Sequence, residues 1–109
     1  MERVVFVYTT YPSLVEAEEA GRALVEQRLA ACVNILPQMV SYYWWEGRVD
    51  RAEEVVMIIK TRAALAQAVQ SAVKARHSYA NPALLVLPIE HAGPLYHEWL
   101  VKETGGSTD

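Results

Sequence analysis

Four β-patterned runs and two amphipathic helical runs follow the order βαββαβ, with a short helix after them. This order predicts an α+β domain on the ferredoxin-like plan, one antiparallel sheet with two helices on one face plus a short C-terminal helix. The strands are apolar on both sides, and helices on one face would leave the other as a large exposed patch. That pattern predicts an oligomer that buries the second face. Length is the third observation. With 109 residues, 52% apolar and 21% charged, the chain has the size and composition of one globular domain with a single core. The domain is expected over residues 1–104, with 105–109 a flexible tail.

Val4-Val5-Phe6-Val7-Tyr8, β-branched and aromatic with both faces apolar, reads as a central strand. Ser13-Leu14-Val15-Glu16 after Pro12 is a capping box, and the helix it opens is expected to end near Leu29. Its apolar stripe is Leu14, Ala17, Gly21 and Leu24, with Glu18 and Arg22 paired on the wet face. Ala31 to Trp45 is strand-rich, and Pro37, lacking an N–H, forces a bulge or break in it. Val40, Tyr42 and Trp44 alternate there with Ser41, Tyr43 and Trp45, so both faces carry aromatics. Glu46-Gly47 is a turn, and Glu54 to Thr61 returns as a strand. Two strands this long form an arm that a helix pair cannot cover. Thr61 is expected to cap a second helix with the stripe Leu65, Val69, Ala72, Val73 and Arg76. Asn81-Pro82 breaks the pattern, and Leu84 to Ile89 is the last strand, placed at an edge by Pro88. Gly93-Pro94 leads into a helix from Leu95 to Glu103.

Thirteen acids against ten bases give a net charge of −3, which argues against partners bound by phosphate neutralisation, so neither nucleic acid nor an anionic membrane is expected. One cysteine, Cys32, permits no intrachain disulfide and no CxxC motif, and fits a reducing compartment. The acid at Glu2 and the short apolar run Val4–Tyr8 do not form a signal peptide, and no stretch reads as a membrane helix. The expected location is the cytoplasm.

Several segments together resemble a known family: Ala30-Ala31-Cys32-Val33-Asn34-Ile35, Ser41-Tyr42-Tyr43-Trp44-Trp45-Glu46-Gly47, Glu54, Met57-Ile58-Ile59-Lys60-Thr61, His77-Ser78-Tyr79, Pro82, Pro88-Ile89 and Tyr96-His97-Glu98-Trp99-Leu100. In order and spacing the chain resembles the CutA divalent-cation tolerance proteins, from its first strand to Trp99. The resemblance implies a homotrimer of ferredoxin-like subunits, similar to the PII-type signalling proteins, and a link to tolerance of copper and other divalent metals. It brings no catalytic mechanism. The family's motif after the second helix is His-Pro-Tyr-Glu and then Pro-Glu; this chain has His77-Ser78-Tyr79-Ala80 and Pro82-Ala83, so both acids are gone. The family's proposed copper ligands, a first-strand cysteine and two adjacent histidines, fall here at Thr9, Arg76 and His77, and of these only His77 can coordinate a metal.

His77 is therefore the leading metal candidate, with a structural histidine at a helix C-terminus as the competing reading. Cys32 is a weaker candidate thiolate, or simply a buried residue. Lys60, Tyr79 and Trp45 are expected to line a subunit-interface cleft near His77 and Cys32. Tyr42, Tyr43, Trp44 and Trp99 are assigned to the trimer interface, as aromatic anchors. Glu53-Glu54 could bind a hard cation or remain solvated. No serine–histidine–acid set, phosphate loop or paired-acid arrangement appears, so no catalytic residues are assigned and the protein is expected not to be an enzyme. The expected function is divalent-metal binding, tolerance or response, with no obligatory cofactor and Cu2+ or another divalent cation as candidate ligand. The alternatives are a PII-like regulator that binds a small metabolite or anion between subunits, and a trimeric protein-recruiting scaffold.

Overall fold

The computed structural model describes residues 2–106. Its elements are β1 (Val4–Tyr11), α1 (Leu14–Glu26), β2 (Cys32–Trp45), β3 (Arg48–Arg62), a 3-10 turn (Ala63–Leu65), α2 (Ala66–Arg76), β4 (Leu85–Pro88) and α3 (Pro94–Glu103). The strands form one antiparallel sheet in the order β2-β3-β1-β4, the arrangement of the ferredoxin-like plan. Helices α1 and α2 lie on one face, over a core of Val5, Val7, Tyr11, Ala17, Leu24, Val55, Met57, Ile59, Val69 and Val73. Full burial of each such aliphatic side chain contributes roughly 1.5–3 kcal/mol. Gly21 lets α1 approach the sheet closely: a Cβ there would stand 2.8 Å from a Val33 methyl and 3.0 Å from the Met57 sulfur. On the opposite face, α3 covers one end only, where Leu100 and Val101 pack on Val4.

Local chemistry explains most element ends. Ser13 Oγ accepts the Glu16 N–H at 3.2 Å, half of the expected capping box. The Glu16 carboxylate does not return to Ser13; it accepts the Ser78 N–H instead. Helix α1 stops at Glu26, short of Leu29, because Arg28 takes a left-handed conformation and is held by an ion pair to Glu103 at 2.7 Å. Arg22 pairs with Glu26, not Glu18, and Leu14 is exposed while Ala20 takes its place in the core. Thr61 does not cap α2. It is buried at the end of β3, where its hydroxyl donates to the Leu29 carbonyl at 2.6 Å, and the 3-10 turn intervenes before the helix. Pro88 ends β4 at a sheet edge, as its missing N–H requires.

The arm is the feature that shapes the molecule. Beyond the core, Met39–Trp45 of β2 pairs with Arg48–Glu54 of β3, and the chain reaches 51 Å along its longest axis. Glu46 and Gly47, both at positive φ, make the two-residue turn at its tip. The bulge falls between Leu36 and Met39, with Gln38 at φ 68°. It inverts the alternation of β2: Cys32 and Asn34 share a face with Lys60 and Ile58, whereas after it Met39, Ser41, Tyr43 and Trp45 share that face with Glu54. Strand β3 starts at Arg48, earlier than the expected Glu54, because its charged first half pairs with the aromatic half of β2. Gly105 and Gly106 of the expected tail close α3, donating to Lys102 and Val101 carbonyls; Ser107–Asp109 lie outside the described residues.

Candidate functional site

At the base of the arm an open groove of about 610 Å³ is lined by Thr10 of β1, Tyr43 and Trp45 of β2, Glu54 of β3 and the loop Ser78–Ala83. Antiparallel pairing of β1 with β3 puts Thr10 opposite Val56, so Thr10 and Glu54 are diagonal neighbours on the face that α1 and α2 leave open. Glu54 Oε2 accepts hydrogen bonds from Thr10 Oγ1 at 3.2 Å and from the Tyr79 hydroxyl at 3.0 Å.

His77 builds the loop that carries Tyr79. It caps the C-terminus of α2 with extended backbone, which turns the chain back over the end of β1. Its side chain is fully buried. Nδ1 accepts the Tyr79 N–H at 3.0 Å, so the proton sits on Nε2, which donates to the Thr10 carbonyl at 2.7 Å. The ring stacks on Tyr11 with centroids 4.3 Å apart and planes at 12°, and Tyr79 tilts against its other side at 5.0 Å. Glu16 stands 3.8 Å from Nδ1 and holds the Ser78 N–H, tying the loop to the start of α1.

These surroundings suppress ionisation of two tyrosines. Burial pushes the Tyr79 hydroxyl up to about 12, helped by its hydrogen bond to Glu54 and that carboxylate's charge. Tyr11 rises to about 12 as well, first by burial and then by the charge of Glu16. In the unfolded chain both would lose their protons near pH 10. Their folded values are raised, so their contribution is complete below pH 10 and is lost as pH climbs from 10 to 12. Thermal melts at increasing alkaline pH should therefore show stability falling over that window. The fall should be shallower in Tyr79→Phe, and equal slopes would contradict the burial assigned to this hydroxyl.

The structure gathers only part of the expected cleft. Trp45 and Tyr79 line the groove, joined by Tyr43, and His77 lies directly behind Tyr79. Lys60 does not join them: it is six residues further along β3, donating to the Tyr96 hydroxyl at 3.3 Å. Cys32, half-buried, pairs across β2 and β3 with Lys60 and so lies at the far end of the sheet from His77. Trp99 tilts against Tyr96 on α3, 5.4 Å away, at that same far end. Tyr42 and Trp44 lie on the other face of the arm from Tyr43 and Trp45, and both are largely exposed in the single chain. Thr9 is wholly buried, while Arg76 is exposed in the last turn of α2.

A metal centre does not fit this donor set within one chain. Both His77 nitrogens are committed to backbone groups, and the soft donors Cys32 and His77 occupy opposite ends of the sheet. Ala80 and Ala83 line the groove where the resembled motif has acids, which leaves Glu54 as the one carboxylate among the lining residues, too few for a hard cation. Among the described residues no three His, Cys, Asp or Glu side chains converge. Thr10 was not anticipated as a site residue. Its link to Glu54 spans 44 positions and depends on the β1–β3 register, which no local pattern announces.

The family model described as CutA1 divalent ion tolerance protein matches residues 5–103. A divalent-cation tolerance protein CutA of Archaeoglobus fulgidus is 45% identical over 95 residues, 87% of this chain and 92% of that protein. The chloroplastic Protein CutA 1 of Oryza sativa is 41% identical over 100 residues, 92% of this chain but 56% of its own length. A solved structure described as the periplasmic divalent cation tolerance protein CutA from Archaeoglobus fulgidus superposes with a TM-score of 0.90 at 42% identity, covering 93% of this chain and 98% of that one.

Proposed function

The chain belongs to the CutA1 divalent ion tolerance family, and from that premise we propose that it acts as a non-enzymatic homotrimer serving divalent-cation tolerance, without a copper site preformed on one chain. The observation that carries the assembly is the uncovered apolar surface. Leu36, Leu85, Leu87, Leu95, Tyr96 and Trp99 are exposed together with the arm aromatics, and β2 and β4 are both free edges of the described sheet. Soluble monomers rarely expose so many large apolar side chains or leave two such edges unprotected. Identical copies offer a closed solution. Copper or another divalent cation remains the candidate ligand, but the committed ring nitrogens of His77 support a structural part for that residue. The proposed location is the cytoplasm, on the strength of the single free cysteine; relatives carry both chloroplastic and periplasmic names.

Light scattering joined to copper calorimetry tests both parts. The expected result is the mass of three chains, and copper binding that is the same in His77→Ala at temperatures where the variant stays folded. A monomeric mass would overturn the assembly. A tight copper site lost in His77→Ala, with the fold retained, would overturn the structural role given to His77.

A further inference from the structure

Glu54 and Lys60 form a mismatch inside one chain. The Glu54 carboxylate has two hydroxyl donors on one oxygen, from Thr10 and Tyr79. Among the described residues no lysine or arginine stands within ion-pair distance of it. The Lys60 ammonium reaches the Tyr96 hydroxyl and lies over the rings of Phe6 at 5.8 Å and Tyr96 at 5.5 Å, with no carboxylate beside it among the same residues. Both residues are half-buried, on the same strand and on the same face of the sheet, the one that α1 and α2 leave open. Six residues of strand separate them by roughly 20 Å, so they cannot meet within one chain.

The two ends match each other. Around Glu54 stand Tyr43, Trp45 and Tyr79; around Lys60 stand Phe6, Tyr96 and Trp99. Each is a half-apolar surface whose Glu54 or Lys60 has no ion-pair partner among the described residues, and the two signs are opposite. A ring built by rotation joins one patch of a copy to a different patch of the next. In such a ring every chain offers Glu54 once and Lys60 once, so all charges are paired.

We propose that Lys60 of a neighbouring copy enters the groove at the base of the arm and pairs with Glu54, completing a site that one chain holds only in part. The occupant is a second copy of this chain, chosen by charge complementarity and by continuity with the exposed aromatic surface at both ends. The pairing rests on the self-association proposed above. It also gives the two hydroxyls a part: both bind the same carboxylate oxygen, Oε2, and neither takes the other oxygen, Oε1, which an ammonium can then take.

A charge-swap cycle tests it, read by light scattering and thermal unfolding at fixed protein concentration. Glu54→Lys and Lys60→Glu should each lower the assembled mass where the parent remains assembled, and the double variant should restore it. Rescue cannot come from an intrachain pair, given the separation. Glu54→Gln and Lys60→Met guard against variants that fail to fold. Each should raise the concentration for half-assembly by roughly tenfold or more. If the parent assembles while both reversals and both neutral variants keep its mass and melting temperature, the pairing is wrong and the assembly stands. A double swap no better than its singles would also refute the pairing. A parent that is monomeric overturns the assembly itself, and the pairing with it.

Discussion

His77→Ala should destabilise the folded chain by about 3–5 kcal/mol, a large share of the total for a domain of this size. The side chain is fully enclosed, so its removal leaves a cavity between Tyr11 and Tyr79. Two hydrogen bonds go with it. The Thr10 carbonyl loses a donor at 2.7 Å and the Tyr79 N–H loses an acceptor at 3.0 Å. The damage spreads, because the loop His77–Ala83 is fastened to the sheet by Tyr79 on Glu54 and to α1 by Ser78 on Glu16. Urea unfolding at constant protein concentration measures the loss, since the proposed assembly would make apparent stability concentration-dependent. His77→Gln, which keeps a donor and an acceptor, should recover part of it. A change in His77→Ala below about 1 kcal/mol would show that the ring is not the support described here, since a buried hydrogen bond alone is worth about that much.

The sequence made the periodic features legible and the long-range ones obscure. Ser13, Pro37, Glu46-Gly47 and Pro88 act locally, Ser13 through its hydroxyl and the others through their own backbone, and cap, bulge, turn and edge stand where each requires. Thr61 shows the limit of such signals. It is a good cap residue, but the β3 ladder continues through it to Arg62, and its hydroxyl finds the Leu29 carbonyl 32 positions away. Arg48–Glu53 precedes the strand expected from Glu54 and becomes part of it because Met39–Trp45 lies opposite to pair with it. At the site, the motif around His77 and Tyr79 was visible, as was Trp45. The separation of Lys60 from them follows from the rise of a strand, yet it becomes plain only once Glu54 is seen to face Tyr79. His77 presented itself as a ligand by residue type. The loop that returns the Tyr79 N–H to its Nδ1, together with the burial of the ring, turns it into a structural residue.

Trp44→Ala should have the opposite signature: the fold of each chain persists and the assembly weakens. Trp44 is 76% exposed and Tyr42 71% exposed in the single chain, on a stretch of arm that touches neither core cluster. Truncation therefore removes almost no intrachain packing. If a neighbouring copy covers this surface, a tryptophan burying on the order of 150 Å² contributes roughly 4 kcal/mol at each contact. In a cyclic trimer the loss recurs at every one of the equivalent contacts, so the effect on assembly is multiplied. Light scattering should show a mass falling toward one chain on dilution, while the circular dichroism of the helices and strands is retained. That contrast separates it from His77→Ala, in which fold and assembly fail together. An unchanged mass and melting temperature would remove the Tyr42–Trp44 face from the interface. Assembly would then have to run through the opposite face of the arm, where Tyr43, Trp45 and Glu54 lie side by side.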